Sequence, residues 1–244
     1  MRPYVITIAG HDPSSGAGLN GDIKTFESLK VYGLSVCSAI TFQDEDTFQS
    51  VDWILPSKII TQLDVLLQKY DVEYIKVGLI ESFSSLKKVL TYLKGNYPQI
   101  KVVWDPILRA TSGFTIHSIF EGLDVLLQSI HILTPNRNEI MQLTGLTDSI
   151  DASRTLSTHT YLLLKGGHAK DHATDIMFHN RERLFDVEGD RFKSSDKHGT
   201  GCVLSAAIIS YLALGNTIEE SCREAKKYVE DFLQSNDSRL GYHS

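Results

Sequence analysis

The strongest constraint on how this chain folds is a repeated alternation of short apolar runs with amphipathic helical stretches. Tyr4–Ala9, Leu34–Thr41, Tyr74–Val77, Val102–Trp104, His131–Leu133 and Tyr161–Leu164 read as strands. Between them, Ile59, Ile60, Leu63, Leu66 and Leu67 share one helical face, as do Leu86, Val89, Leu90 and Leu93. That is the spacing of a 3.6-residue helix lying on a core. The order β-α-β-α predicts a mostly parallel sheet covered by helices on both faces. One interruption is expected, a hairpin made by residues 175–178 and 184–187 around Asn180-Arg181-Glu182. No Pro/Ser-rich linker, repeat or low-complexity tract divides the chain. With 244 residues and 42% hydrophobic content, residues 1–244 are read as a single α/β domain. Ligands of such sheets bind beyond the carboxyl ends of the strands, in loops leading into helices.

Composition narrows the partners. A formal charge of -6 with no basic stripe argues against nucleic acid. No apolar run reaches the length of a membrane span. The N-terminus passes directly into Tyr4-Val5-Ile6-Thr7-Ile8-Ala9, which reads as a strand and not as a signal peptide. Cys37, Cys202 and Cys222 form no C-x-x-C pair, which fits a reducing, cytoplasmic setting and no structural zinc.

Two segments carry the chemistry. The first is His198-Gly199-Thr200-Gly201-Cys202, which leads into the apolar run Val203–Ile209. A Gly-rich turn feeding a helix N-terminus presents unpaired N–H groups and the positive end of the helix dipole, an anion hole. Cys202 stands inside it, where a thiol pKa is expected to fall. An anion hole holding a base suggests phosphoryl transfer; an ordinary helix start with a small buried cysteine is the plain alternative. The second segment, Gly10 to Asp22, contains G-x-G-x-x-G at Gly16, Gly18 and Gly21. A dinucleotide fingerprint would close its turn at the strand end, whereas here Gly10–Ser15 intervenes, so a substrate loop rich in backbone donors is the better reading. No Walker A lysine motif occurs.

Ile8-Ala9-Gly10-His11-Asp12-Pro13-Ser14-Ser15-Gly16-Ala17-Gly18, followed by Asp22-Ile23-Lys24-Thr25, resembles the opening motif of the hydroxymethylpyrimidine/phosphomethylpyrimidine kinases of thiamine biosynthesis, members of the ribokinase superfamily. Four further blocks agree in order and spacing: Thr41-Phe42-Gln43, Trp104-Asp105-Pro106-Ile107, Leu133–Glu139 and Leu164-Lys165-Gly166-Gly167-His168. The resemblance implies a three-layer α/β/α sandwich, ATP as phosphoryl donor and Mg²⁺ as cofactor. It further implies that Asn136, Glu139, Asp105 and Lys165 organise the Mg-nucleotide, with Glu139 and Asp105 toward the metal. Related kinases place a lysine where Lys226 stands, within reach of a nucleotide phosphate; a solvated helix face is the alternative there. Cys202 takes the position of the base, with Gly199, Thr200 and Gly201 donating to the transferred phosphate. Gln43, Asp22 and the backbone around Gly10 and Ala17 are the substrate-side residues, the Gln43 amide suiting an aminopyrimidine edge.

The expected reaction is therefore phosphorylation of the hydroxymethyl group of 4-amino-5-hydroxymethyl-2-methylpyrimidine, with its monophosphate as a further option. Pyridoxal kinase is the alternative within the superfamily; a nicotinamide-dependent oxidoreductase and a silent ligand-binding relative stand further off. A homodimer is left open. The chain departs from the family at Asn20-Gly21, at Phe42, at Leu79 and at Thr111 before Ser112-Gly113. Acidic Asp44, Glu45 and Asp46 follow Gln43 and are expected to repel a phosphomonoester. His168 and His172, with Asp171 and Asp175 near, read as a solvated polar turn and not a metal pair. The polar tail Ser235–Ser244 is expected to fray.

Overall fold

A computed structural model describes residues 1–108, 122–166, 174–190 and 197–244. The elements run β1 (Tyr4–His11), α1 (Gly18–Ser28), β2 (Tyr32–Gln43), β3 (Phe48–Trp53), α2 (Pro56–Leu67), β4 (Val72–Val77), α3 (Phe83–Asn96) and β5 (Lys101–Trp104). They continue with α4 (Leu123–Leu127), β6 (Ile132–Leu133), α5 (Arg137–Thr144), α6 (Ser149–Leu156) and β7 (Tyr161–Leu164). The chain closes with β8 (Asp175–His179), β9 (Glu182–Val187), α7 (Thr200–Ala213) and α8 (Ile218–Gln234). All six expected strands and the hairpin are present. The segments Thr111-Ser112-Gly113 and Gly167-His168 through His172 lie outside the described residues.

One sheet has the strand order β3-β2-β1-β4-β5-β6-β7-β8-β9. The six strands from β2 to β7 pair in parallel, and antiparallel partners flank them at both edges. Alternation along each strand divides the core in two. Ile6, Ile8, Val102, Trp104, Leu162 and Leu164 face a cluster that includes Ile59 of α2, Leu86 of α3, Leu126 of α4, Ile140 of α5 and Ala152 of α6. Val5, Val103 and Leu163 face the opposite cluster with Phe26 of α1, Ile208 of α7 and Val229 of α8. The result is the expected α/β/α sandwich.

Helix α7 is buried from Cys202 to Ser210 without interruption. A helix apolar on every side has to be interior, and α7 lies beneath the sheet with α1 and α8 around it. Strand β3 was not legible because Phe48–Trp53 follows the acidic turn and carries half-buried and exposed residues, lacking a core-facing stripe.

The carboxyl ends of all the parallel strands lie along one edge. Chain order reverses between β1 and β4, so the loops after these two strands diverge and open a crevice. The expectation of a frayed tail is corrected. Lys197 Nζ donates to the carbonyls of Asn236 (2.7 Å) and Ser238 (2.6 Å), and the His198 N–H donates to Arg239 O (2.9 Å). His243 meets Tyr228 Oη at 3.0 Å, and Ser28 Oγ donates to Ser244 O at 2.9 Å. Such tethering removes the freedom that lets a polar terminus fray.

Candidate active site

Three strand ends build a charged cluster. Asp105 follows β5, Asn136 follows β6 and Lys165 follows β7; an isolated parallel bridge ties Asn136 to Lys165. Lys165 Nζ lies 2.7 Å from Asp105 Oδ1 and 3.8 Å from Glu139 Oε2. The second Asp105 oxygen accepts from Ser205 Oγ of α7 at 3.1 Å. Asn136 and Glu139 form a reciprocal capping box at the start of α5: Asn136 Oδ1 accepts from the Glu139 N–H (2.9 Å), and Glu139 Oε2 from the Asn136 N–H (2.7 Å). Burial raises the Glu139 carboxyl to about 7, against the pull of Lys165 and with the push of Asp105. Burial also acts to lower Lys165, but Asp105 and Glu139 hold it above the ordinary lysine value.

This cluster abuts the start of α7. Gly199 caps the helix in the left-handed region (φ 81°), and no side chain caps its first turn. The first helical bond runs from Val203 N to Gly199 O, so the N–H groups of Thr200, Gly201 and Cys202 have no intrahelical acceptor. A Cβ placed on Gly201 would lie 3.4 Å from Lys165 Nζ and 4.0 Å from Asp105 Oδ2. The anion hole, the cation and the carboxylate thus converge at one point.

Cys202 is buried, and its thiol corrects the expectation of a depressed pKa. Desolvation pushes it up to about 11; Lys76 pulls down, while Asp105 and Asp22 push further up. The positive helix end is outweighed by removal from water and by neighbouring carboxylates.

Asp22 is also placed otherwise than expected. It is sealed inside, with Oδ1 at 2.5 Å from Lys76 Nζ and Oδ2 accepting from Thr7 Oγ1 at 2.5 Å. Its side chain is wholly buried and neutralises Lys76 beneath the site. Burial raises the Asp22 carboxyl despite Lys76; burial likewise opposes the Lys76 charge, but Asp22, Cys202 and Asp105 hold it above the ordinary value.

On the substrate side, Gly10 stands next to last in β1, where a Cβ would meet Leu79 Cδ2 at 2.8 Å. Ala17 is the N-cap of α1, but its N–H is committed to Asp12 Oδ2 at 2.9 Å. Gln43 ends β2, half-buried, and its amide makes no side-chain hydrogen bond among the described residues. The acidic turn after it is less repulsive than the sequence suggests. Asp44 Oδ1 accepts from the N–H groups of Asp46 (2.8 Å) and Thr47 (2.6 Å), while Arg239 pairs with Asp46 at 2.6 Å.

Lys226 stands apart from this group. It pairs at 3.0 Å with buried Asp175, whose other oxygen accepts from the Gly166 N–H at 2.7 Å. The solvated-face reading of Lys226 is corrected, since the side chain is buried against Asp175.

Sequence reasoning missed Lys76 and Ser205. The signal for Lys76 was a cation in the middle of Tyr74–Val77, a central strand where a charge must find a buried partner. Ser205 was the first polar residue inside the apolar run that follows Cys202.

A family description, phosphomethylpyrimidine kinase, matches residues 12–244. The hydroxymethylpyrimidine/phosphomethylpyrimidine kinase of Staphylococcus aureus (strain N315) is 32% identical, over 96% of this chain and 89% of that protein. Among solved structures, the phosphomethylpyrimidine kinase of Clostridium difficile superposes with a TM-score of 0.77 at 28% identity, covering 94% of this chain and 99% of that one. The pyridoxal kinase of Staphylococcus aureus in complex with ADP superposes with a TM-score of 0.83 at 26% identity, covering 100% and 93%. Among the described residues no helix is long and apolar enough to cross a membrane.

Proposed function

The chain belongs to the phosphomethylpyrimidine kinase family, and from that premise we propose how its residues carry out the reaction. It is an ATP-dependent phosphotransferase acting on the hydroxymethyl group of 4-amino-5-hydroxymethyl-2-methylpyrimidine, and on the resulting monophosphate, in thiamine biosynthesis. One observation carries the assignment of the site: the open N-terminus of α7, Cys202 and the Lys165–Asp105–Glu139 cluster all meet at Gly201.

The alcohol oxygen attacks the γ-phosphorus of ATP, the bond to the ADP oxygen breaks, and the alcohol proton passes to the Cys202 thiolate. The N–H groups of Thr200, Gly201 and Cys202 hold the transferred phosphoryl, whose charge Lys165 offsets. The ring lies in the crevice between β1 and β4, beside Gly10, where Gln43 reads the aminopyrimidine edge. Asp22 and Lys76 act from below, through the field at Cys202.

The residues fit a hydrated Mg²⁺. Glu139 is a hard oxygen ligand pushed toward neutrality by burial beside another carboxylate, which a divalent cation would relieve, and no described residue donates to its Oε1. Glu139 and Asp105 would hold the ion, which when bound supplies positive charge to the nucleotide phosphates.

The likeness to pyridoxal kinase favours a second reading, phosphorylation of the hydroxymethyl of a pyridine at the same site. The three cysteines are free thiols, in keeping with a cytoplasmic protein. Exposed Ile40 and Phe42 at the outer end of β2 suit a homodimer contact. ADP release on adding the pyrimidine alcohol to protein, ATP and Mg²⁺ tests the assignment. Thermal stabilisation by NADH but not by ATP would overturn it in favour of an oxidoreductase.

A further inference from the structure

Three segments far apart in sequence meet at His198. Its Nε2 lies 2.9 Å from Asp12 Oδ2, and both side chains are buried. The same carboxylate organises the loop after β1, accepting from the Ala17 N–H (2.9 Å), the Ser14 N–H (3.0 Å) and Ser14 Oγ (2.9 Å). Burial would raise Asp12, but the bonds from His198, Ser14 and Ala17 prevail and bring it to about 2. His198 Nδ1 is buried without a hydrogen-bond partner among the described residues. The ring proton therefore belongs on Nε2, donated to Asp12, because the opposite tautomer would bury an unsatisfied donor.

The backbones on either side of this bond touch. A Cβ on Gly199 would lie 2.0 Å from Gly16 O, and one on Gly16 would lie 2.7 Å from His198 Cδ2 and 2.8 Å from Leu240 Cδ2. The tail closes the third side through the bond from the His198 N–H to Arg239 O. Groups packed this closely do not move independently. A shift of the Asp12–Gly18 loop is carried to the Gly199–Cys202 turn.

On the reading that the loop meets the alcohol and the turn meets the phosphate, we propose that His198 is a positioning residue. Its bond to Asp12 couples the two ligand sites, so that filling one tightens the other and sets the attack distance. His198 touches neither reacting atom; it fixes where the turn stands relative to the loop.

The test uses the full chain, hydroxymethylpyrimidine and AMP-PCP, a non-hydrolysable ATP analogue. Calorimetry gives the alcohol Kd with and without the analogue, and turnover with ATP gives kcat and KM. In the unaltered chain the analogue should tighten the alcohol at least about 5-fold, the lower end of ordinary site–site coupling. His198→Ala should bring that ratio below about 2 and reduce kcat by about 10- to 100-fold, the scale of a small misplacement, with a lesser change in either KM. His198→Gln, which restores an N–H donor, should recover much of both. Should the alanine variant not fold, His198→Phe serves in its place, since it keeps a ring beside Gly16 but offers no donor to Asp12. A preserved ratio and kcat in a folded variant, or no coupling in the unaltered chain, overturns the proposal. Failure of the unaltered chain to phosphorylate the pyrimidine or pyridoxal overturns the functional reading and this proposal with it.

Discussion

If Cys202 accepts the alcohol proton, the rate must carry the signature of a thiol that resists ionisation. Burial, with Asp105 and Asp22 adding to it, places this thiol at about 11 despite Lys76. At pH 7 only about 1 in 10⁴ molecules then holds a thiolate, and each unit by which pH rises toward 11 yields about tenfold more. The sign follows: activity rises with pH, by about 100-fold between pH 7 and pH 9, with no plateau before pH 10. Cys202→Ala removes the acceptor. Its kcat at pH 9 should fall by about 10²–10⁴-fold and its profile should flatten, while nucleotide affinity stays within about twofold because the backbone donors of α7 remain. The assay is ADP release at saturating alcohol and Mg-ATP across pH 6–10, with calorimetry for the nucleotide. An alanine variant with near-normal kcat would make Cys202 a packing residue. A profile already level at pH 7, with full dependence on Cys202, would refute the argument that burial governs the thiol during turnover.

Glu139→Gln should separate stability from function. The folded carboxyl titrates at about 7 against an ordinary 4.5, so its ionised form weighs against the fold increasingly as pH rises through that window. Replacing it should raise Tm at pH 8 by a few degrees, on the order of 1–3 kcal/mol, yet weaken Mg-ATP use more than binding of the alcohol. A lower Tm at every pH would contradict this, and scanning fluorimetry from pH 5 to 8 decides it. Gly199→Ala should cost about 3 kcal/mol or more in urea unfolding, since the residue sits at φ 81° and its Cβ would fall 2.0 Å from Gly16 O. A loss under about 1 kcal/mol would mean that the turn relaxes freely. Gln43→Met should erase a pyrimidine-over-pyridoxal preference of roughly ten- to a hundred-fold in kcat/KM, the worth of one unsatisfied buried polar group. An unchanged ratio would assign ring recognition to another residue.

The sheet was legible because its information is local. Val5, Ile6 and Ile8 declare a strand buried on both faces, and Leu86, Val89, Leu90 and Leu93 declare a helix with one. Residues at strand ends were legible too, since parallel strands must bring Asp105, Asn136 and Lys165 to one edge whatever the details. Burial and pairing were not. Asp22 and Lys76 are 54 positions apart and reveal their ion pair only when β1, β4 and α1 are assembled. The thiol pKa of Cys202 turned on burial, to which Asp105 and Asp22 add and which Lys76 opposes, and this outweighed the local helix-end argument. The tail read as frayed because Lys197 and His198, which hold it, lie about 40 residues earlier. The solvated face read for Lys226 failed for want of Asp175, its partner from the edge hairpin.

The most direct test of the functional assignment is ATP consumption measured in parallel against hydroxymethylpyrimidine, its monophosphate and pyridoxal, at one enzyme concentration with Mg²⁺. Turnover of the pyrimidine alcohol and of its monophosphate, with kcat/KM for the alcohol roughly ten- to a hundred-fold above that for pyridoxal, is the expected result. Turnover of pyridoxal alone would contradict the pyrimidine assignment while keeping the site, and ATP consumption with none of the three would contradict the account as a whole.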